Sequence, residues 1–144
     1  YQSDDLANVN MFAYIDQLVN LSLKNHENEI MVTRDLSYFY LDMEKAIIIG
    51  LITNEILNNI FKHAFTQHDL NAPRKVYISA KKYGNKICIR IKDNGVGLSI
   101  KNSTFQDSLG IMLVKDFTQK LPRGRCTFKK WKGTYFKLEF EHES

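Results

Sequence analysis

The sequence is short of the residues that break or staple a chain, with two prolines, seven glycines and two cysteines in 144 residues. So little proline leaves room for long unbroken elements and excludes a proline-rich disordered chain. Cys88 and Cys126 have neither a CxxC spacing nor a neighbouring histidine pattern, so nothing points to a disulfide framework or a metal-binding pair. Both fall in alternating segments and read as buried thiols of a reducing compartment, which makes a cytoplasmic location the expectation. Long hydrophobic runs are missing as well. The longest, residues 46–52, is far short of the roughly 20 residues a membrane helix needs, and no signal peptide opens the chain. Charge of one sign is not dominant either: 20 basic residues face 16 acidic ones, spread along the chain. That excess of four suits a phosphate-bearing ligand or a solvated surface, and no nucleic-acid partner is expected from it.

What is present is the mixture of one soluble globular domain, 44% hydrophobic and 25% charged, long enough to bury a core unaided. Residues 1–10 read as the end of a connection from an upstream segment, and residues 11–144 as the domain. A membrane anchor in the parent protein is compatible with this division.

Apolar residues Phe12, Ile15, Leu18, Val19 and Leu23 recur at helical spacing behind a capping Asn10, which predicts a helix over residues 11–25. Residues 29–34 alternate and predict a short strand, with a turn at 35–38. Residues 42–65 predict the longest helix, with Ile48, Leu51, Ile52, Ile56 and Ile60 as its apolar positions. Two alternating runs, Val76-x-Ile78-x-Ala80 and Ile87-x-Ile89-x-Ile91, joined by Tyr83-Gly84-Asn85-Lys86, predict an antiparallel hairpin. A helix is expected over 109–121, with Leu113 and Phe117 on its apolar face and Pro122 closing it. A last strand pair, 126–131 and 134–141, turns at Lys132-Gly133.

Four segments carry chemistry. On the long helix Glu55, Asn59, Lys62 and His63 stand at i, i+4, i+7 and i+8, so one face offers a carboxylate, an amide oxygen and two cations. An amide oxygen is a hard ligand for Mg²⁺, cations meet phosphate oxygens, and a carboxylate accepts a proton. A solvated helix face accounts for the same residues equally well. Asp93-Asn94-Gly95-Val96-Gly97 follows a strand directly. Its glycines allow close backbone approach, and its aspartate can accept a hydrogen bond from an exocyclic amine such as that of adenine. A plain β-turn explains the Asn-Gly as well. Ser108-Leu109-Gly110 opens a helix, where free N–H groups attract phosphate, and Gly133-Thr134 begins the last strand, where a hairpin role is the simpler reading. The order of the four (helix, strand end, helix start, strand start) is what sets them apart from chance.

These residues resemble the signature boxes of the GHKL ATPases. Residues 54–65, from Asn54-Glu55 through Asn58-Asn59 to Lys62-His63-Ala64-Phe65, resemble the N box. Asp93-Asn94-Gly95-Val96-Gly97-Leu98 resembles the G1 box, residues 108–114 the G2 box, and Gly133-Thr134-Tyr135-Phe136 the terminal Gly-Thr motif. The Lys-His-Ala-Phe ending and short lid are most similar to sensor histidine kinases of the HisKA_2 or HWE-like subgroup. The G2 segment departs from the fullest pattern in having one glycine, and Ile60 stands where a small residue is common.

The resemblance implies a Bergerat fold, an α/β two-layer sandwich with a mixed, mostly antiparallel sheet carrying helices on one face, and it implies ATP and Mg²⁺ as cofactors. Asn59 would coordinate Mg²⁺ and Glu55 would help activate an accepting histidine, with Lys62 and His63 near the phosphates. Asp93 would bind the adenine amine, supported by Thr134 through water. Gly95 and Gly97 would shape the adenine pocket, Gly110 would approach the phosphates, and Asn58, Leu98, Ser108 and Leu109 would complete the nucleotide site. None of the four histidines suits the phosphoacceptor, which in this family sits on an upstream dimerising hairpin. The implied partners are that hairpin, a response-regulator receiver domain and, for the parent protein, a second copy of itself. An anti-sigma-factor serine kinase of the same fold and a nucleotide-binding module without turnover are the alternatives.

Overall fold

The computed structural model describes residues 8–26, 29–65, 72–96, 109–130 and 132–142. In chain order it runs β1 (Asn8–Asn10), α1 (Met11–Lys24), β2 (Met31–Leu36), β3 (Tyr40–Asp42), α2 (Met43–Asn59) continued by a π turn (Ile60–Ala64), β4 (Lys75–Tyr83), β5 (Lys86–Asp93), α3 (Leu109–Gln119), β6 (Arg125–Lys130) and β7 (Thr134–Glu141). Five strands form one mixed sheet in the order β2-β4-β5-β7-β6. Only the β2–β4 pair is parallel. A parallel pair needs a crossover, and β3 with α2 supplies it.

Side-chain alternation decides which face of the sheet is covered. Val76, Ile78 and Ala80 of β4, Ile87, Ile89 and Ile91 of β5, and Phe136, Leu138 and Phe140 of β7 are all buried. They join Met11, Ile15 and Val19 of α1, Ile49, Ile52 and Ile56 of α2, and Ile111 and Val114 of α3 in one core. The helices lie side by side on that face, α2 touching both α1 and α3. The expected α/β sandwich, mixed sheet with helices on one face, is what the chain forms.

Local signals set the helix starts. Asn10 accepts the backbone N–H of Ala13 at 3.2 Å and caps α1. Asp42 accepts the N–H of Lys45 at 3.0 Å and caps α2, and the Lys45 ammonium sits 2.6 Å from its other oxygen. Each replaces an intrahelical partner that the first turn lacks.

Several expectations are corrected. β2 extends to Leu36, through the expected turn, because it pairs with β4 from Met31↔Lys75 to Leu36↔Ala80. Residues 8–10, for which no strand was expected, pair antiparallel with Tyr40–Asp42; three-residue strands leave no readable alternation. Leu51 is 45% exposed and Leu113 39%. The buried side of α3 is Ile111, Val114 and Thr118 instead, since these are the positions that face α2 and the sheet. Cys88 is buried, but Cys126 is only half-buried, lying on the edge strand β6. No helix among the described residues is long and apolar enough to cross a membrane.

Candidate functional site

Asp93 is the last residue of β5, and its side chain is the focus of the site. It is 1% exposed. Its Oδ1 accepts the backbone N–H of Gly95 at 2.8 Å and that of Thr134, the first residue of β7, at 3.2 Å. Its Oδ2 is buried with no hydrogen-bond partner among the described atoms. Burial pushes the Asp93 carboxyl up from its ordinary value; the Gly95 and Thr134 N–H groups and the Thr134 hydroxyl oppose that rise without cancelling it. A buried carboxylate oxygen without a donor is costly, and a ligand that brings an N–H removes the cost. The contact from the Thr134 backbone N–H is direct.

Glycine is required on both flanks of Asp93. A Cβ on Gly95 would fall 2.0 Å from the Ala64 carbonyl oxygen, and one on Gly133, whose φ is +126°, would fall 2.0 Å from the Asp93 carbonyl oxygen. The end of the π turn thus closes on the loop after Asp93, and the start of β7 on Asp93 itself, at separations that no side chain permits. The Ala64 carbonyl also accepts the N–H of Val96 at 2.8 Å, which fastens the loop after β5 to the end of the π turn. Asn94 fastens its other side, accepting the Lys75 N–H at 2.8 Å and donating to the Pro73 carbonyl at 3.0 Å.

The second half of the site lies on α2. Glu55, Asn58 and Asn59 are half-buried, and Lys62 and His63 are exposed on the π turn. Asn59 Nδ2 donates to Glu55 Oε1 at 3.3 Å. A Cβ on Gly110, in the first turn of α3, would fall 1.9 Å from that same Glu55 oxygen. The bare glycine is what lets the carboxylate lie against the start of α3.

The π turn changes the alignment read from the sequence. Bonding i to i+5, it holds about one residue more than an α turn, so Lys62 and His63, both exposed, do not keep the spacing from Asn59 that a continuous α-helix gives the expected face of Glu55, Asn59, Lys62 and His63. Nothing in the residues from Ile60 to Ala64 announces this. The sequence also could not show the backbone groups that matter here, the Ala64 carbonyl and the Thr134 N–H, since every residue carries them.

The structure therefore joins the four segments pairwise: 93–96 to 133–134 through Asp93, 93–96 to 60–64 through Ala64, and α2 to α3 through Glu55 and Gly110. Leu109 opens α3. Gly97, Leu98 and Ser108 lie outside the described residues.

Neither a protein-family model nor a curated protein matches this sequence. Solved structures do match. The histidine kinase domain of the blue-light activated histidine kinase of Erythrobacter litoralis superposes with a TM-score of 0.80 at 20% identity, over 92% of this chain and 61% of that one. The chain thus spans about three fifths of that domain. The ATP binding domain of PrrB from Mycobacterium tuberculosis superposes with a TM-score of 0.73 at 19% identity, over 95% of this chain and 97% of that one. The mycobacterial sensor histidine kinase MprB gives 0.73 at 16%, over 93% and 95%. The fold is that of histidine kinase ATP-binding domains.

Proposed function

We propose that this chain is the ATP-binding catalytic domain of a sensor histidine kinase, which transfers the γ-phosphoryl group of ATP to a histidine outside these residues. The observation that carries the reading is the buried Oδ2 of Asp93, which has no hydrogen-bond partner among the described residues and is framed by Gly95 and Gly133-Thr134. An exocyclic amine donates a proton where guanine would present a carbonyl, so this oxygen favours adenine.

The residues also fit a magnesium-bound triphosphate. Among the described residues no group of three or more His, Cys, Asp or Glu side chains converges, so they do not offer an all-protein metal cage. Mg²⁺ bound to nucleotide commonly takes one or two protein ligands and fills its shell with phosphate oxygens and water. The Asn59 amide oxygen is a ligand of that kind, and bound Mg²⁺ supplies neutralisation of the charge that develops on the phosphates. The chain's own part is positioning: Asp93 fixes the adenine, Asn59 the metal end, and Lys62, His63 and the N–H groups at the start of α3 approach the phosphates. Glu55 stands beside Asn59, where it can accept a proton from the attacking imidazole.

In this reading the acceptor is a histidine on an upstream hairpin of a homodimeric parent, and the phosphoryl group passes on to an aspartate of a response-regulator receiver domain. The domain itself works in the cytoplasm. The Lys62-His63-Ala64-Phe65 ending supports the HWE-like subgroup.

Calorimetric titration with a non-hydrolysable ATP analogue and Mg²⁺, with the GTP analogue as competitor, tests this. Saturable, adenine-selective binding in the roughly micromolar to millimolar range is the expected result. A folded chain that takes up neither nucleotide, or both alike, overturns the reading.

A further inference from the structure

We infer that Glu55 is a positioning residue for the metal ligand: by accepting the side-chain N–H of Asn59 it turns the Asn59 carbonyl oxygen away from itself and leaves it for Mg²⁺. This rests on the ATP-binding reading of the same site and deepens it.

A carboxylate accepts hydrogen bonds and has none to give, so an amide beside it presents its NH₂ end. Asn59 Nδ2 lies 3.3 Å from Glu55 Oε1, and the alternative orientation would set two oxygens against each other. The contact spans one helical turn of α2, which keeps the two side chains neighbours whatever binds. Glu55 is fixed in its turn. The oxygen that meets Asn59 is the one packed against Gly110, where a Cβ would stand only 1.9 Å away. The start of α3, the Glu55 carboxylate and the Asn59 amide therefore form one chain of contacts ending on the metal ligand.

An asparagine without this partner can turn its amide about the last side-chain torsion, and half of that range offers a cation the NH₂ group. Groups that orient a metal ligand from behind are worth about 10- to 100-fold in metal affinity. A role for Glu55 as proton acceptor alone leaves nucleotide and metal binding untouched, so the two roles separate in a binding measurement.

The test is calorimetric titration of the chain with a non-hydrolysable ATP analogue, with and without Mg²⁺, in the wild type, Glu55→Gln, Glu55→Ala and Asn59→Ala. Gln and Ala both remove the charge, but only Gln keeps an oxygen that can accept the Asn59 N–H, so their difference isolates the hydrogen bond. The tightening that Mg²⁺ gives the wild type is expected to persist in Glu55→Gln. It is expected to fall roughly tenfold or more in Glu55→Ala, as in Asn59→Ala, while metal-free binding remains in all three. Full tightening in Glu55→Ala, or equal loss in Glu55→Gln and Glu55→Ala, overturns the inference. If circular dichroism shows Glu55→Ala unfolded, Glu55→Met, of similar length with only a weakly accepting thioether, takes its place. A wild-type chain that binds no nucleotide overturns the ATP reading and this inference with it. Nucleotide binding whose Mg²⁺ dependence ignores Glu55 overturns this inference alone.

Discussion

The N–H of Thr134 reaches Asp93 Oδ1 at 3.2 Å, so the start of β7 holds the carboxylate at the end of β5. The two are 41 residues apart in sequence but are brought together by strand pairing, since Lys92 faces Tyr135 in the β5–β7 register. One oxygen is thereby committed to the protein's own backbone, and the other has no hydrogen-bond partner among the described residues.

Asp93→Asn separates ligand binding from stability. Its side-chain oxygen can still accept from Gly95 and Thr134, but its NH₂ would oppose the adenine amine. Affinity for the ATP analogue is expected to fall by about 10- to 150-fold, the worth of a hydrogen bond to a charged group. Burial raises the Asp93 carboxyl, so the stability linked to its proton is full below the unfolded-chain value and lost as pH rises through the folded one. Without nucleotide, the Asp93→Asn variant is therefore expected to melt no lower than wild type at neutral pH, and thermal unfolding with calorimetry checks both halves.

Gly95→Ala is expected to damage both halves of the site. The new methyl would meet the Ala64 carbonyl oxygen at 2.0 Å, and that carbonyl is already committed to the Val96 N–H. Separating the loop from the π turn loses that hydrogen bond and leaves a buried carbonyl short of a donor, a cost of about 1–3 kcal/mol. A lowered urea midpoint, with nucleotide affinity falling as well, is the expected outcome; unchanged values would mean the contact is dispensable.

Gly133→Ala tests the other flank. A φ of +126° is open to glycine and strained for alanine, costing about 1–3 kcal/mol, and the added methyl would press on Asp93. Loss of stability beyond that of an alanine placed at Gly84, which has open space around it, is expected in parallel melts.

Glu139 sets an acid limit on the fold. Hydrogen bonds from Lys137 and Lys86, each 2.9 Å away, hold its carboxyl down to about 2. A depressed carboxyl stabilises the fold fully above its ordinary value and loses that contribution as pH falls toward the folded one. Glu139→Gln is expected to cost roughly 1 kcal/mol at pH 7, allowing for solvent screening, and to lose less stability than wild type between pH 5 and 2. Urea unfolding across that range is the check.

Much of this protein is local in origin. The capping of α1 and α2 by Asn10 and Asp42, the alternation of β4, β5 and β7, and the four motif segments can be read from neighbours in sequence, because helix and strand periods are properties of a few consecutive residues. What the tertiary structure alone decided depends on contacts between distant elements. It exposed Leu51 and Leu113, drew residues 8–10 and 35–36 into strands, and put a π turn under Lys62 and His63. It also left Asp93 Oδ2 buried with no hydrogen-bond partner among the described residues. The basic residues show the same division. They are scattered along the sequence, yet register sets Tyr77, Lys92, Tyr135 and Lys129 in one row across the sheet, on the face away from the core. Composition fixed how many charges the chain has; pairing between strands far apart in sequence fixed where they stand, because no local preference encodes a partner.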